Sequence, residues 1–133
     1  MDDQELIDHA IAVRDNAYCV YSGFKVGAAL LDDEGRVHVG CNVENASYPE
    51  GSCAETGAIA AMVAAGSQKI VAIAVAGGTG KLTSCTPCGG CRQRIRQFAD
   101  DDTRIIVIDD DDDWRTYTME ELLPSSFHLD ADF

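Results

Sequence analysis

The apolar run KIVAIAVAG, residues 69–77, places the strongest constraint on how this chain can fold. After its first residue it contains no polar side chain, a pattern typical of a strand that is buried on both faces of its sheet. A sheet that is covered on both faces needs helices in both outer layers. The run therefore predicts an α/β protein.

Helix and strand patterns alternate along the rest of the chain. β-rich runs cover residues 24–31, 37–45, 69–77 and 104–109, and Gly35 between the first two predicts a hairpin turn. Helical patterns cover residues 3–17, 53–65, 86–99 and 118–124. The predicted order, α-β-β-α-β-α-β-α, gives a mixed sheet with helices on both faces.

Start and stop residues refine the helix boundaries. Ser52 and Glu55 fit a capping box, as do Thr118 and Glu121. Thr86 is the expected N-cap of the third helix, with Pro87 in its first turn, and Gly66 and Pro124 follow helix ends.

Size and charge limit the classes of function. The 133 residues predict a single domain over residues 1–133, and the formal charge of −13 disfavours DNA or RNA polymers as partners. No apolar run approaches the roughly 20 residues of a membrane helix, and the acidic N-terminus does not resemble a signal peptide. We therefore expect a cytoplasmic protein without membrane contact, in which Asp109–Asp113 forms a solvated loop after a strand.

Cysteine spacing predicts a metal site. Without an export signal, metal binding or catalysis is a better explanation of six cysteines than disulfides. Cys53 and the pair Cys88 and Cys91 fall at the starts of two predicted helices, which we expect after neighbouring strands at one sheet edge. Helix N-termini favour thiolates, the form that binds zinc.

The number of ligands is left open by the spacing. Three cysteines would leave the fourth tetrahedral position to water, as in catalytic zinc sites, whereas Cys85 as a fourth ligand would close the site and make it structural. Cys19 and Cys41 are predicted to be small buried hydrophobic residues.

Glu55 has two interpretations. It completes the capping box with Ser52, or it stands beside a zinc-activated water, whose pKa the metal lowers towards ~7, and moves its protons. In the second case Ser52 alone would cap the helix.

Several blocks of the sequence resemble one family. CAE is followed 35 residues after its cysteine by PCGGC, and YSGFKVGAAL, NVENASYPEG, CRQ and ELLPSSF occur in the expected order. Together they resemble the zinc-dependent cytidine deaminases of the small homotetrameric class. The resemblance implies a three-layer α/β/α sandwich with a mixed five-stranded sheet. It also implies hydrolytic deamination of cytidine and 2′-deoxycytidine to the uridines, with release of ammonia, in pyrimidine salvage.

The resemblance assigns the metal chemistry. It implies that Cys53, Cys88 and Cys91 bind Zn²⁺, and that Glu55 is the proton shuttle. The chain departs from the family at Thr56, where the family often has an arginine that offsets the charge of the thiolates. Whether Arg92 or Arg94 takes over that charge is not fixed by the sequence.

The resemblance also assigns the substrate contacts. It implies that Asn42 and Glu44 bind the ribose hydroxyls, which fits their alternation at the end of a strand. Phe24 would pack against the nucleoside, and backbone groups of Ala46 and Ala54 would hold the amide edge of the base.

The family's oligomer completes each site. In the implied homotetramer, with active sites at subunit interfaces, Phe127 comes from a neighbouring subunit to stack on the base. Two alternatives remain at this point. The substrate could be a related base or a cytosine-containing antibiotic, although the pair Asn42 and Glu44 argues for a nucleoside. The chain could also be a non-catalytic binding module, stabilised by zinc and closed by Cys85.

Overall fold

A computed structural model describes residues 1–129, so the last four residues of the predicted domain lie outside the described residues. The helices are α1 (Asp3–Arg14), α2 (Ala54–Ala64), α3 (Gly89–Arg96) and α4 (Met119–Leu122). The strands are β1 (Lys25–Asp32), β2 (Val37–Cys41), β3 (Ile70–Gly78), β4 (Arg104–Ile108) and β5 (Trp114–Thr118). A 3-10 turn over Tyr48–Glu50 precedes α2.

The five strands form one mixed sheet in the order β2-β1-β3-β4-β5. β3 and β4 pair in parallel, and the other neighbouring pairs are antiparallel. The five-stranded sheet that the resemblance implies is confirmed. The pattern along the chain yields only four strands, because β5 is an edge strand without a buried residue and its sequence WRTYT does not alternate cleanly.

Helices cover both faces of the sheet, so the three-layer architecture is confirmed. On one face, Leu6, Ile7 and Ala10 of α1 pack against small side chains of β1 and β3. On the other, α2, α3 and α4 enclose a larger cluster around Met62 and Ile73. No helix within residues 1–129 has the length and apolar character to span a membrane.

Two glycines bring helices unusually close to the sheet. A Cβ built at Gly40 of β2 would collide with the backbone nitrogen of Ala58 and lie 2.5 Å from the carbonyl oxygen of Ala54, both in α2. A Cβ at Gly27 of β1 would collide with the carbonyl oxygen of Ala10 in α1. Backbone therefore packs on backbone at both positions, which only a residue without a side chain allows.

One edge of the sheet receives both helix starts that carry the cysteines. β1 is antiparallel to β2 and to β3, so the C-terminal ends of β2 and β3 flank the beginning of β1. Gly27 pairs with Cys41, and Lys25 pairs with Gly78. The expectation of neighbouring strands is wrong, since β1 separates them, but the common edge is correct. α2 and α3 follow β2 and β3 and begin beside this edge.

Asp109–Asp113 forms the tight turn between β4 and β5. The backbone nitrogen of Asp109 donates to the carbonyl oxygen of Asp113, at 2.9 Å, and one carboxylate oxygen of Asp109 accepts from the backbone nitrogen of Asp111, at 2.9 Å. Residues 110–113 are exposed, so the prediction of a solvated loop is confirmed.

Candidate metal centre and active site

Cysteines stand where capping side chains usually do. Cys53 is the N-cap of α2 and Cys88 the N-cap of α3, both with extended backbone, and neither side chain makes a capping hydrogen bond. The predicted caps are wrong: Ser52 instead pairs through its backbone with Val43, and Thr86 lies two residues before the N-cap Cys88. Two thiols therefore lie at helix tips, whose partial positive charge favours thiolates.

Three sulfur atoms converge at this edge. The Sγ atoms of Cys53, Cys88 and Cys91 all lie within 4.8 Å of one another, and those of Cys53 and Cys88 are 4.0 Å apart. A tetrahedral zinc with Zn–S bonds of about 2.3 Å needs sulfurs about 3.8 Å apart, so the three residues fit the ion. Cys85 does not belong to this cluster. Among the described residues the donor set is therefore open, and the closed four-cysteine alternative is not supported.

The charges of the cluster also favour a cation. Burial raises the pKa of the Cys53 and Cys91 thiols, and the carboxylate of Glu55 raises both further. Burial acts in the same direction on Cys88, but the backbone N–H of Cys91 and the facing thiols lower its pKa below the ordinary value. Without an ion, the sulfurs thus compete with one another and with Glu55 for protons, and a divalent cation relieves that repulsion.

Glu55 is buried beside the sulfurs. Its residue is only 4% exposed, it lies in the first turn of α2, and it lines the same cavity as Cys53 and Cys88. Within residues 1–129, α2 has no side-chain cap, so the capping-box interpretation of Glu55 is wrong. Burial raises the pKa of Glu55 above its usual range, although the positive charge of Arg94 opposes the shift. Such a carboxyl group is suited to taking up and returning protons.

The cavity has the size of a small-molecule site. It encloses about 640 Å³ and brings Asn42, Glu44 and Ala54 together with Glu55 and the cysteines. Cys85, which the sequence offered only as a fourth metal ligand, lines the wall beside them. Sequence reasoning did not anticipate Tyr21 and Tyr48, whose rings meet edge to face at the rim with centroids 6.1 Å apart.

Asn42 and Glu44 hold the segment that enters β1. The side-chain oxygen of Asn42 accepts from the backbone nitrogen of Val26, and its nitrogen donates to the carbonyl oxygen of Phe24, both at 2.8 Å. One carboxylate oxygen of Glu44 accepts from the backbone nitrogens of residues 21–22, at 2.9 and 3.1 Å. Asn42 keeps a second amide hydrogen and Glu44 keeps lone pairs, so both have polar capacity left for a ligand.

Three predicted contact residues do not line the cavity of this chain. The ring of Phe24 instead covers Gly77, with its Cε1 atom 3.2 Å from a Cβ built there. Ala46 is exposed, and Phe127 is 69% exposed, its carbonyl oxygen accepting a hydrogen bond from Gln93. The structure thus brings together Asn42, Glu44 and Ala54 among the predicted substrate contacts.

The two candidate arginines of α3 have different partners. Arg94 Nη1 donates to the sulfur of Cys91 at 3.6 Å. Arg92 donates instead to the carbonyl oxygens of Pro87 and Leu122, at 2.8 and 3.0 Å. The i, i+3 spacing of Cys91 and Arg94 is the sequence feature that could have predicted this contact. Thr56, on α2, has a buried hydroxyl oxygen without a hydrogen-bond partner among the described residues.

Comparisons with known proteins agree with this geometry. Residues 1–108 match the family model described as the cytidine and deoxycytidylate deaminase zinc-binding region. A cytidine deaminase of Halalkalibacterium halodurans is 42% identical over 127 residues, which are 96% of this chain and 95% of that protein.

Solved structures are similar over nearly the whole chain. The crystal structure of cytidine deaminase from Burkholderia pseudomallei has a TM-score of 0.86 and 41% identity, covering 96% of this chain and all of that one. That of the Mycobacterium tuberculosis enzyme has a TM-score of 0.84 and 37% identity, covering 97% of this chain and 99% of that one.

Proposed function

The chain belongs to the cytidine and deoxycytidylate deaminase family, because its residues 1–108 match the zinc-binding region of that family. From this premise we propose that it deaminates cytidine and 2′-deoxycytidine hydrolytically to the uridines. The observation that carries the proposal is the open set of three cysteine sulfurs beside one buried carboxyl group, in a cavity large enough for a nucleoside.

The proposed chemistry divides between the metal and Glu55. Cys53, Cys88 and Cys91 would hold zinc, which when bound lowers the pKa of a coordinated water towards ~7 and supplies a nucleophile at neutral pH. Glu55 accepts a proton from the attacking water and passes it to the ring nitrogen next to the amino-bearing carbon. It then carries the second proton to the departing amino group. Water and cytidine thus give uridine and ammonia, and the carboxylate is regenerated.

The polar end of the cavity supports a nucleoside as substrate. Asn42 and Glu44 line it on the side of the entry to β1, and both retain hydrogen-bonding capacity that ribose hydroxyls could use. The backbone of Ala54, also at the cavity, is proposed to hold the amide edge of the base. An acidic group at the ribose position disfavours phosphorylated substrates. A free base would leave the remaining hydrogen-bonding capacity of this pair unused.

We further propose that the enzyme is a homotetramer with active sites at subunit interfaces. Exposed apolar side chains at or near the cavity rim support an interface there: Tyr48 is 78% exposed, Val20 64% and Tyr21 54%. Phe127, which does not reach the cavity of its own chain, would stack on a base bound to a neighbouring subunit. Phe24 and the backbone of Ala46 are proposed to contact the substrate in that assembly.

The Glu55→Gln variant tests the proposed chemistry. It keeps the shape of the side chain but cannot take up the proton, so we expect kcat to fall by about 10²–10⁴-fold while zinc stays bound one to one. The ultraviolet change on conversion of cytidine to uridine gives the rate, and metal analysis gives the zinc content. Removal of zinc by a chelator should abolish turnover, and adding it back should restore turnover.

Glu5→Gln is the matched control, because Glu5 is an exposed residue of α1 on the opposite face of the sheet. It should leave the rate unchanged. Wild-type turnover by the Glu55 variant would overturn the role of this carboxyl group. Turnover of free cytosine as fast as that of cytidine would overturn the nucleoside proposal.

A further inference from the structure

The proposed metal centre has a charge to compensate. Three thiolates and one divalent ion carry a net charge of −1, and the carboxylate of Glu55 adds to it. Cys88 is exposed and Cys53 half-buried, but Cys91 is fully buried and Glu55 nearly so, so water screens the charges of these last two groups poorly. A buried centre of like charges is unfavourable unless a positive group stands close to it.

Arg94 is placed to supply that positive group. It lies one helical turn after Cys91, on the same side of α3, and helical side chains lean towards the N-terminus of their helix. Its guanidinium therefore folds back over the first turn, where Nη1 donates to the sulfur of Cys91 at 3.6 Å. Gly90 leaves room for it, because a Cβ there would lie 3.2 Å from Nη1.

The other two arginines of α3, Arg92 and Arg96, are engaged elsewhere. Arg92, on the same helix, is bound to two backbone carbonyl groups. Within residues 1–129, Arg94 is the one basic side chain that hydrogen-bonds to a sulfur of the cluster, and its positive charge also acts on Glu55. Thr56, the neighbour of Glu55 in α2, brings no charge.

We propose that Arg94 compensates the charge of the thiolate cluster and fixes the sulfur of Cys91 for metal binding. It is a positioning residue, since it acts on the metal through Cys91 and lines no part of the cavity. The proposal rests on the proposed function for the assignment of the three cysteines as zinc ligands. The positive charge of Arg94 would compensate for the uncharged residue at position 56.

Two substitutions at Arg94 test the proposal by metal affinity. Arg94→Gln removes the charge, and Arg94→Lys retains it. Partners of metal ligands typically contribute about 10–100-fold to affinity. Because Arg94 is exposed on its outer side, we expect a loss near the lower limit, about tenfold, for Arg94→Gln. Competition with a chromophoric chelator measures the zinc dissociation constant, and Arg94→Lys should recover most of the affinity.

Arg115→Gln is the matched control. It removes the same charge from β5, where Arg115 is exposed and lies over the ring of Tyr117 at 4.3 Å from its centroid. It should bind zinc with unchanged affinity. If Arg94→Gln binds zinc as tightly as the unsubstituted chain, or if the control weakens binding equally, the proposal is overturned.

Two further readouts separate positioning from a merely structural role. The metal-free Arg94→Gln chain should have the same melting temperature as the metal-free unsubstituted chain. Only in the zinc-loaded form should the substitution lower the melting temperature. In the cobalt-loaded form, loss of the hydrogen bond to Cys91 should shift the thiolate-to-cobalt charge-transfer band to longer wavelength. Equal destabilisation of the metal-free form, with an unshifted band, would contradict the proposal.

The affinity measurement is independent of turnover. Failure of the proposed function would appear as a zinc-loaded chain that does not convert cytidine, whatever the behaviour of Arg94→Gln. Failure of the Arg94 proposal would appear as unchanged zinc affinity in a chain that does convert it.

Discussion

Asp32 shows how much one buried carboxylate can organise. It is 1% exposed, and its oxygens lie 2.8 Å from His38 Nε2, 2.7 Å from Ser67 Oγ and 3.3 Å from Arg36 Nε. The backbone nitrogens of Glu34 and Arg36 donate to it as well, both at 2.9 Å. Burial alone would raise the pKa of Asp32, but these bonds outweigh burial and hold the pKa well below its usual range. Asp32 thus joins the β1–β2 turn to the segment after α2.

Asp32→Asn should therefore destabilise the fold at neutral pH. Because the pKa is lower in the folded state, the contribution of Asp32 is complete above its unfolded pKa of about 3.9 and is lost as the pH falls towards the folded value. We expect a loss of about 3 kcal/mol at pH 7, since a buried charge network loses one partner. The difference should shrink below about pH 4. Urea unfolding at both pH values measures it.

Asp33→Asn is the control, because Asp33 is exposed in the same turn. A control that loses as much stability as Asp32→Asn, or a difference that grows at low pH, would be inconsistent with this assignment.

The functional residues themselves were largely predictable. Cysteine spacing indicates Cys53, Cys88 and Cys91, because topology brings two helix starts to one sheet edge, but it leaves Cys85 open as a fourth ligand. The caps were not predictable: Ser52 and Thr86 are better capping residues than cysteine, and local preference favours them. The tertiary structure overrides that preference and places Cys53 and Cys88 at the N-caps. The i, i+3 spacing puts Arg94 within reach of Cys91, but the contact also depends on the side-chain conformation of Arg94, which the spacing alone does not fix.

At the scale of elements, α2 is positioned by its contact with β2. Gly40 lets the helix backbone approach the strand, and α2 carries Cys53 at its start and Glu55 in its first turn. The position of the helix thereby sets the position of the site. A displacement of α2 by even a few tenths of an ångström moves a ligand and the carboxyl group together.

Gly40→Ala should weaken both the fold and the metal site. Its Cβ meets backbone atoms of α2, which cannot move aside as a side chain can, so we expect a loss near the upper limit for overpacking, about 3 kcal/mol. Zinc affinity should fall with it. Chemical unfolding and chelator competition measure the two effects.

Gly80→Ala is a matched control, since a Cβ at Gly80 meets nothing within 4 Å. Gly40→Ala with the stability and zinc affinity of the control would show that α2 does not depend on this contact.

Most helices and strands were predictable from their strong periodicity, whereas the strand at the sheet edge was difficult to predict. β3 is recognisable because its residues are buried on both faces, and α4 because Thr118 and Glu121 form both bonds of their capping box. β5 packs at the sheet edge and carries no comparable pattern. The order of strands in the sheet could not be predicted from local sequence patterns either, because β1 lies between β2 and β3.

At the scale of the whole molecule, we propose that a second subunit completes the cavity. Apolar side chains are exposed near its rim, and Phe127 is exposed and does not line the cavity of its own chain, which supports the proposed interface. An aromatic ring stacked on a base is worth about 1–3 kcal/mol, so Phe127→Ala should reduce kcat/KM by about tenfold.

Mixing two defective variants tests where Phe127 acts. In an oligomer of Phe127→Ala and Glu55→Gln chains, some sites combine an intact Glu55 from one chain with an intact Phe127 from the other. We therefore expect kcat/KM per intact Glu55 to rise above that of Phe127→Ala alone after subunit exchange. Each variant mixed with itself is the control. No rise after exchange, verified by mass spectrometry, would refute the shared site.

Because Cys53 and Cys88 are helix N-caps, a bound metal would also hold the starts of α2 and α3 in place. Neither Cys53 nor Cys88 belongs to the clusters of buried apolar residues that hold the sheet between its helices. Stripping the ion should therefore loosen the two helix tips and leave the scaffold standing. The metal could then rebind to the folded chain in a single step, without an unfolded intermediate. The fraction of active enzyme would therefore follow the concentration of the ion reversibly.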